Sequence, residues 1–208
     1  MIRSLYVVGS LGALGAVLRD GSFAGTGSEA DVVILPTAAA FIGAAESSVA
    51  AAQVCNDYDV RVEALMVTDR TSASEAYYAD RILQADLVVL CDGSALHART
   101  VWRNTPVGDA LASASNVVAV GSVASVLGDV MIDPRGGAPT TGMGLCEGVA
   151  FSPPASDDQL ARTRRLVARD VALVVVGPRG VLRHARGEWK ILEGDDVVVT
   201  RGEDVTSI

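Results

Sequence analysis

Short apolar runs recur along the chain, and longer amphipathic stretches separate them. The runs span residues 5–8, 32–35, 60–67, 87–90, 117–120 and 173–176. They are largely continuous rather than alternating with polar residues, which is typical of strands buried on both faces of a parallel sheet. The pattern therefore predicts buried strands at these positions.

The stretches between the runs predict helices over residues 38–54, 72–84, 96–103, 106–114 and 157–169. Ser72 with Glu75 has the pattern of a capping box, Thr37 suits an N-cap, and Pro106 suits a first helical turn. Strands and helices in strict alternation predict an α/β fold, in which a doubly wound, mostly parallel sheet carries helices on both faces.

Two regions depart from this alternation. Residues 133–144 (DPRGGAPTTGMG) are rich in Gly, Pro and Thr, and we expect a loop that is either mobile or ordered by tertiary contacts. Residues 180–200 predict short antiparallel strands, with turns at Gly187 and at Asp195-Asp196. We therefore expect a single domain over residues 1–208 that ends in a short β-hairpin region.

Charge and cysteine content narrow the partners and the compartment. The chain has 25 acidic and 17 basic residues and a formal net charge of −8, so we expect neither nucleic acid nor an anionic membrane as a partner. Cys55, Cys91 and Cys146 are odd in number and far apart, which predicts neither a disulfide framework nor a metal site. The first residues lack the layout of a signal peptide, and no apolar run is long enough to span a bilayer. We expect a cytoplasmic protein without a metal or another cofactor.

In an open parallel sheet, ligands bind beyond the carboxyl ends of the strands, so the loops after residues 8, 35, 90 and 120 are the candidate sites. The first loop, residues 9–15 (GSLGALG), is a glycine-spaced turn that suggests a dinucleotide, although it departs from the G-x-G-x-x-G spacing. The second loop begins a helix and is expected to be structural. The loops over residues 91–97 and 121–129 crowd small residues between a strand and a helix, as a nucleophile elbow requires.

Four segments, in this order, resemble the cyanophycinase and dipeptidase E family of serine peptidases, which is related in fold to the class I glutamine amidotransferases. The segments are VVILPTAAAF, ADLVVLCDGSALHARTVWRNTP, LGDVMIDPRGG and GMGLCEGVAF, and the resemblance spans residues 5–189. It implies a flavodoxin-like sheet, a serine nucleophile on an elbow and a histidine base from a later loop. It also implies an oxyanion hole of backbone N–H groups from the elbow and from a Gly-Gly loop, and a homodimer is one assembly that the relatives suggest.

The departures from this pattern fall on the catalytic groups. The nucleophile position aligns with Gly121 in one register and with Val123 in the other, and neither side chain can attack a carbonyl. Ser122 lies one residue away in both registers. Where relatives have Pro-His the chain has Pro153-Pro154, and proline cannot accept a proton. Asp92 stands where relatives have the first glycine of the oxyanion loop, and a carboxylate there would repel a developing oxyanion.

Other groups with catalytic chemistry have structural interpretations. His97 lies at the start of a helix and is expected to be a satisfied helix-terminal residue, whereas His184 is expected on a solvated hairpin surface. Cys91 ends the wrong strand for a nucleophile, and the aspartate after it would raise the pKa of its thiol, so a buried small hydrophobe is the better interpretation. Asp133 and Glu147 are the acids nearest to the place of a third triad member, and both are expected to be structural.

The leading hypothesis is a catalytically inactive homologue of these peptidases that retains a cleft for a small molecule, a peptide or a partner. The cleft is predicted to contain Asp92, Gly93, Ser94, Gly121, Ser122, Val123, Ser125, Arg135 and Pro154. Its acidic floor would favour a cationic or amino-group ligand, and a cleft filled by its own side chains would favour a structural or assembly role. The alternative is an active peptidase or isopeptidase with Ser122 as a displaced nucleophile, and the third hypothesis is a dinucleotide-binding protein.

Overall fold

The computed structural model describes residues 2–25, 29–133, 138–201 and 204–206, and its strands form two sheets. The first sheet contains β1 (Ser4–Val8), β2 (Ala30–Leu35), β3 (Val60–Ala64), β4 (Leu87–Leu90), β5 (Asn116–Val120), β10 (Val181–Ala185) and β11 (Glu188–Glu193). The second contains β6 (Gly128–Ile132), β7 (Pro139–Thr141), β8 (Cys146–Ser152), β9 (Ala172–Val176), β12 (Val197–Arg201) and β13 (Asp204–Thr206).

Parallel pairing dominates the first sheet, whose strand order is β11-β10-β1-β5-β4-β2-β3. The five adjacent strands β1, β5, β4, β2 and β3 are all parallel. The β10–β11 hairpin pairs with β1 in the antiparallel direction through β10. The second sheet has the order β13-β12-β9-β8-β6-β7, with β6, β8 and β9 parallel. Because β4 and β5 are parallel neighbours, the loops that follow them meet at one edge of the sheet.

Helices cover both faces of the first sheet. The helices of the described chain are α1 (Leu14–Asp20), α2 (Ala44–Cys55), α3 (Arg70–Ala73), α4 (Ala76–Gln84), α5 (Ala95–Trp102), α6 (Pro106–Ser113) and α7 (Asp157–Leu166). Alternate residues of a strand point to opposite faces, so Tyr6 and Val8 pack with α1 and α2, whereas Leu5 and Val7 pack with α4, α5 and α6. The molecule therefore has the predicted flavodoxin-like, doubly wound α/β fold. Within the described ranges, none of the helices combines the length and apolar character needed to cross a bilayer.

The helix predicted over residues 38–54 begins later, at Ala44. Residues Thr37–Ala39 form a short 3₁₀ turn, and Gly43 adopts a φ of +119° immediately before α2. The prediction of Thr37 as an N-cap is wrong, because its hydroxyl donates to the Val67 carbonyl at 2.6 Å and accepts from the Trp102 indole at 3.0 Å. These two hydrogen bonds attach the loop after β2 to the segment that follows β3 and to α5.

The segment predicted as one helix over residues 72–84 forms two helices, α3 and α4. Asp69 is the N-cap of α3: its carboxylate accepts the N–H of Ser72 at 2.8 Å, and Ser72 Oγ accepts the N–H of Asp69 at 3.2 Å. The predicted capping box of Ser72 with Glu75 is therefore wrong, since Ser72 is the third residue of the box that Asp69 begins.

The strands of the second sheet between residues 128 and 152 were not among the predicted apolar runs. β7, from the Gly/Pro/Thr-rich stretch 133–144, pairs with β6, and the N–H groups of Gly142 and Met143 donate to the carbonyls of Asp129 and Val126, each at 2.8 Å. Tertiary backbone hydrogen bonds therefore order residues 138–144. Residues 134–137 of the same stretch lie outside the described residues.

Candidate functional site

The elbow, residues Gly121–Val126, follows β5 and begins with a left-handed glycine. Gly121 adopts a φ of +62°, and the segment forms a 3₁₀ turn. A residue with a side chain is strained at such a φ. A Cβ placed on Gly121 would lie 2.5–2.7 Å from the carboxyl atoms of Asp92. A side chain at position 121 and the Asp92 carboxylate in its present place therefore cannot share this space.

Asp92 follows β4, and its carboxylate occupies the backbone donors beside the elbow. Its Oδ1 accepts the N–H of Gly93 at 2.7 Å and the N–H of Ser122 at 2.8 Å. One donor belongs to the loop after β4 and the other to the elbow, which are the two segments that supply an oxyanion hole in the family that the sequence resembles. An oxyanion requires donors at about 2.7–3.1 Å. Both donors are already used here, by a group that is itself an anion.

The loop after β4 is held in place by the loop after β2. Gly93 adopts a φ of +146°, and a Cβ there would lie 2.3 Å from the Ala38 carbonyl oxygen. The N–H of Ser94 donates to the same oxygen at 2.7 Å. Ser94 Oγ accepts the N–H of His97 at 3.2 Å and so caps α5. Gly93 and Ser94 therefore fix the position of Asp92.

The small residues of the elbow differ in what their side chains contact. Val123 is fully buried in the core, and Ser125, also buried, donates its hydroxyl to the Ser122 carbonyl at 2.9 Å. Ser122 is half-buried, and within the described residues its hydroxyl has no hydrogen-bond partner. A serine hydroxyl without an adjacent base is a weak nucleophile.

The first of the two histidines, His97, forms its side-chain hydrogen bond with a backbone carbonyl and not with a serine of the elbow. His97 Nε2 lies 2.8 Å from the Thr68 carbonyl oxygen. Its ring packs edge-on against Phe41, with ring centroids 4.5 Å apart. Its backbone N–H is bound by Ser94. His97 therefore acts as a tertiary contact at the start of α5.

The second histidine, His184, lies in β10 and contacts a thiol and an indole. Its Nδ1 is 4.0 Å from Cys146 Sγ, and its ring centroid is 4.4 Å from that of Trp189. The prediction that His184 is a solvated surface residue is wrong, because the second sheet covers one side of the hairpin. Burial lowers the pKa of His184. The sequence offers no motif for this contact, since residues 146 and 184 lie on different sheets.

Two prolines stand where the resemblance to the peptidase family implies a histidine base. Pro153 and Pro154 follow β8 and, with Gly121 and Ser125, line a cavity of about 10 Å³. A cavity of this size holds roughly one water molecule. This cavity is therefore too small to admit a substrate chain.

The remaining predicted residues lie apart from this cluster or are unreactive. Burial, together with the nearby charge of Asp92, raises the pKa of Cys91 to about 12, and a thiol must be deprotonated to act as a nucleophile. Glu147 is exposed at the rim of a different pocket, and the N–H of Asp133 donates to the carbonyl of residue 138 at 3.0 Å. Arg135 lies outside the described residues. Among the residues that are described, no three His, Cys, Asp or Glu side chains are arranged to hold a metal ion.

The glycine-spaced turn after β1 packs against the chain on both sides. A Cβ on Gly9 would lie 1.7 Å from the Gly177 carbonyl oxygen, and Ser10 Oγ donates to the Pro178 carbonyl at 2.7 Å. A Cβ on Gly15 would lie 2.7 Å from the Tyr58 hydroxyl. These glycines allow close packing of the protein's own backbone, and the turn offers no open cradle for a pyrophosphate.

Comparison with solved structures identifies the class of this fold. No protein-family model matches the sequence, and no curated protein sequence is significantly similar to it. The structure is similar to that of a peptidase from an acI-B1 Actinobacterium, with a TM-score of 0.78 and 20% sequence identity over 99% of this chain and 93% of that chain. It is also similar to a candidate peptidase E protein from Listeria monocytogenes EGD-e, with a TM-score of 0.62 and 12% identity over 97% of this chain and 99% of that chain. At these identities the likeness establishes a peptidase E-like fold.

Proposed function

We propose that this protein is a catalytically inactive homologue of the cyanophycinase and dipeptidase E serine peptidases. The observation that carries the proposal is the position of the Asp92 carboxylate on the N–H groups of Gly93 and Ser122. In an active serine peptidase, such donors stabilise the oxyanion of the tetrahedral intermediate. Here they bind a carboxylate of the protein itself, so an acyl substrate has no site for its developing charge.

The absent nucleophile supports the same conclusion. Gly121 has the left-handed backbone of an elbow but no side chain, and the Asp92 carboxylate lies where a side chain at this position would begin. The present position of the Asp92 carboxylate therefore requires a residue without a side chain at position 121. We interpret Gly121 and Asp92 as two parts of one change from a catalytic to a non-catalytic elbow.

The alternative of an active Ser122 gains no support from its surroundings. Its backbone N–H is bound by Asp92, and its hydroxyl has no base within the described residues. His97 is hydrogen-bonded to a backbone carbonyl, and prolines line the cavity of about 10 Å³ where a base would enter. A serine needs an imidazole, an amine or a carboxylate in hydrogen-bond reach to become a nucleophile at neutral pH.

The remaining role is binding or assembly at the outer surface of the elbow rather than within a deep cleft. The Asp92 side chain is exposed, and among the described residues its Oδ2 has no hydrogen-bond partner. An amino or guanidino group forms the strongest hydrogen bonds with such an oxygen. A ligand or partner with this chemistry would contact Asp92 from outside, since the interior is filled.

The proposal is tested by reaction of the full-length protein with a fluorophosphonate probe, beside Ser122→Ala and an active serine hydrolase as a positive control. We expect no labelling of the wild-type protein, while circular dichroism shows that it is folded. Labelling that is lost in Ser122→Ala would mean that Ser122 is activated. Labelling that persists in the variant would mean that another nucleophile is active, and either result would overturn the proposal.

A further inference from the structure

A second pocket, of about 780 Å³, lies at the opposite end of the first sheet from the elbow. Residues at the start of β1 and β8 line it, whereas the elbow follows the carboxyl end of β5, which runs parallel to β1. Its apolar wall contains Leu5, Leu145, Val149 and Trp189, and we call it the Trp189 pocket. Its volume lies within the range of about 300–1,000 Å³ that is usual for small-molecule sites.

The wall of the Trp189 pocket includes two titratable groups that are uncharged at neutral pH. Burial raises the pKa of Cys146 to about 12, and burial lowers the pKa of His184. Cys146 Sγ lies 4.0 Å from His184 Nδ1, and the His184 ring packs on the Trp189 indole. A protonated thiol is a poor nucleophile. This pair therefore extends the apolar wall and does not form a catalytic dyad.

Three arginines line the same pocket, with one carboxylate among them. The cations are Arg3, Arg186 and Arg201, and the acid is Glu147. Within the described ranges none of the three guanidinium groups has an ion-pair partner, and the hydrogen bond that Arg3 donates goes to the Phe23 carbonyl at 3.5 Å. The chain as a whole carries a net charge of −8, so this local excess of positive charge is unusual. Guanidinium groups bind carboxylates through two parallel hydrogen bonds.

The backbone at Arg186 gives independent support. Arg186 and Gly187 are the two loop residues of the β10–β11 hairpin, since Ala185 pairs with Glu188. Their φ angles are +56° and +82°, and positive φ at both positions defines a type I′ turn, which favours Asn-Gly. An arginine in the left-handed region is strained, so the turn itself does not explain this residue. Arg186 lines the Trp189 pocket, where its side chain can reach a ligand.

We propose that the Trp189 pocket binds a small monocarboxylate with an apolar body, such as an acyl chain. The apolar body lies against Leu5, Leu145 and Trp189, and the carboxylate pairs with the arginines at the rim. We expect an anion because three arginines and one acid line the pocket, and an apolar body because the wall is apolar. This site is independent of the elbow, so it stands whether or not Ser122 is active.

The first test is titration of the protein with decanoate, in which binding is measured by calorimetry and by tryptophan fluorescence. The chain has two tryptophans; Trp102 is fully buried, and Trp189 lines the pocket, so Trp189→Phe separates their signals. We expect saturable binding near one equivalent and a fluorescence change that Trp189→Phe removes. Decanol and decylamine carry the same chain without the negative charge, and we expect each to bind at least about tenfold more weakly. Equal binding of decanol, or no saturable heat with decanoate, would overturn the proposal.

The sharper test is Arg186→Asn, because it separates a ligand contact from a structural role. Asparagine suits the left-handed turn position, so we expect the melting temperature to stay the same or to rise by up to about 4 °C. We expect the dissociation constant for decanoate to rise about tenfold, since one charge-assisted hydrogen bond is lost. Arg162→Gln, an exposed arginine on α7, is the matched control and leaves both values unchanged. An unchanged decanoate affinity in the double variant Arg186→Asn/Arg3→Gln would contradict the proposal.

Discussion

The elbow and the Trp189 pocket lie at opposite ends of the same sheet and differ in how their polar groups are satisfied. At the elbow, the backbone donors that face outward are bound by Asp92, and the cavity behind them measures about 10 Å³. In the Trp189 pocket, about 780 Å³ is open, and the guanidinium groups at its rim have no ion-pair partner in the described chain. The place where the fold predicts chemistry is therefore closed by the protein itself. The open, unsatisfied groups are found where the fold predicts none.

The largest effect is expected from Gly121→Ser, which tests whether the elbow is closed. The new side chain would meet the Asp92 carboxyl atoms at 2.5–2.7 Å in a left-handed backbone. We expect a loss of about 2–4 kcal/mol in the free energy of unfolding, measured by urea denaturation. Gly12→Ser is the matched control, because a Cβ there lies 3.8 Å from its nearest neighbour, and it should change stability by less than about 0.5 kcal/mol.

The double variant Asp92→Gly with Gly121→Ser decides the cause of that loss. Removal of the carboxylate opens the space, so we expect Gly121→Ser to cost less than half as much stability in the Asp92→Gly background as in the wild type. Double-mutant cycles isolate such a pairwise interaction. An equal loss in the presence and absence of the carboxylate would show that position 121 and Asp92 do not compete.

A smaller effect is expected when the anion at the elbow is removed alone. Asp92→Ala leaves the N–H groups of Gly93 and Ser122 without their acceptor, and we expect a loss of about 1–2 kcal/mol in urea denaturation. Asp92→Asn keeps an oxygen acceptor and should lose less than half of that amount. Asp170→Ala, at an exposed aspartate without these contacts, is the background control. If Asp92→Ala is as stable as the wild type, the carboxylate does not hold the elbow in place.

The smallest expected effect is the pH dependence of stability that His184 contributes in the Trp189 pocket. His184 has a lowered pKa in the folded state, so the unfolded chain binds more protons once the pH falls below about 6.5. Stability contributed by neutral His184 is therefore present above this pH and is lost as the pH falls from about 6.5 through the folded pKa. We expect the melting temperature of His184→Gln to fall less steeply than that of the wild type between pH 7 and 5.5. Parallel curves would place His184 in contact with water rather than with Cys146 and Trp189.

Much of the first sheet was predictable because its strands are buried on both faces. The runs over residues 87–90 and 117–120 coincide with β4 and with all but the first residue of β5, where helices on each side remove any polar alternation. The second sheet was missed where glycines and short strands interrupt the apolar pattern, as in β6 and β7. The start of α2 was missed because Gly43, with its positive φ, divides a segment whose composition favours one helix.

The sequence also places the elbow and Asp92 at the same edge of the sheet, since both follow parallel strands. It does not reveal that one carboxylate accepts both N–H groups, because that contact depends on a side-chain conformation and on the left-handed backbone of Gly121. The Trp189 pocket was beyond prediction for a different reason. Its Cys146 and His184 come from separate sheets, and no spacing along the chain records their contact.

The close approach between position 121 and Asp92 also restricts the order in which this chain can change over generations. A serine that arises at 121 first meets the aspartate carboxylate and impairs folding before it offers any chemistry. A glycine that arises at 92 first opens the space, at the smaller cost of one hydrogen-bond acceptor. A route toward a serine elbow that begins at position 92 therefore costs less stability at its first step than a route that begins at position 121.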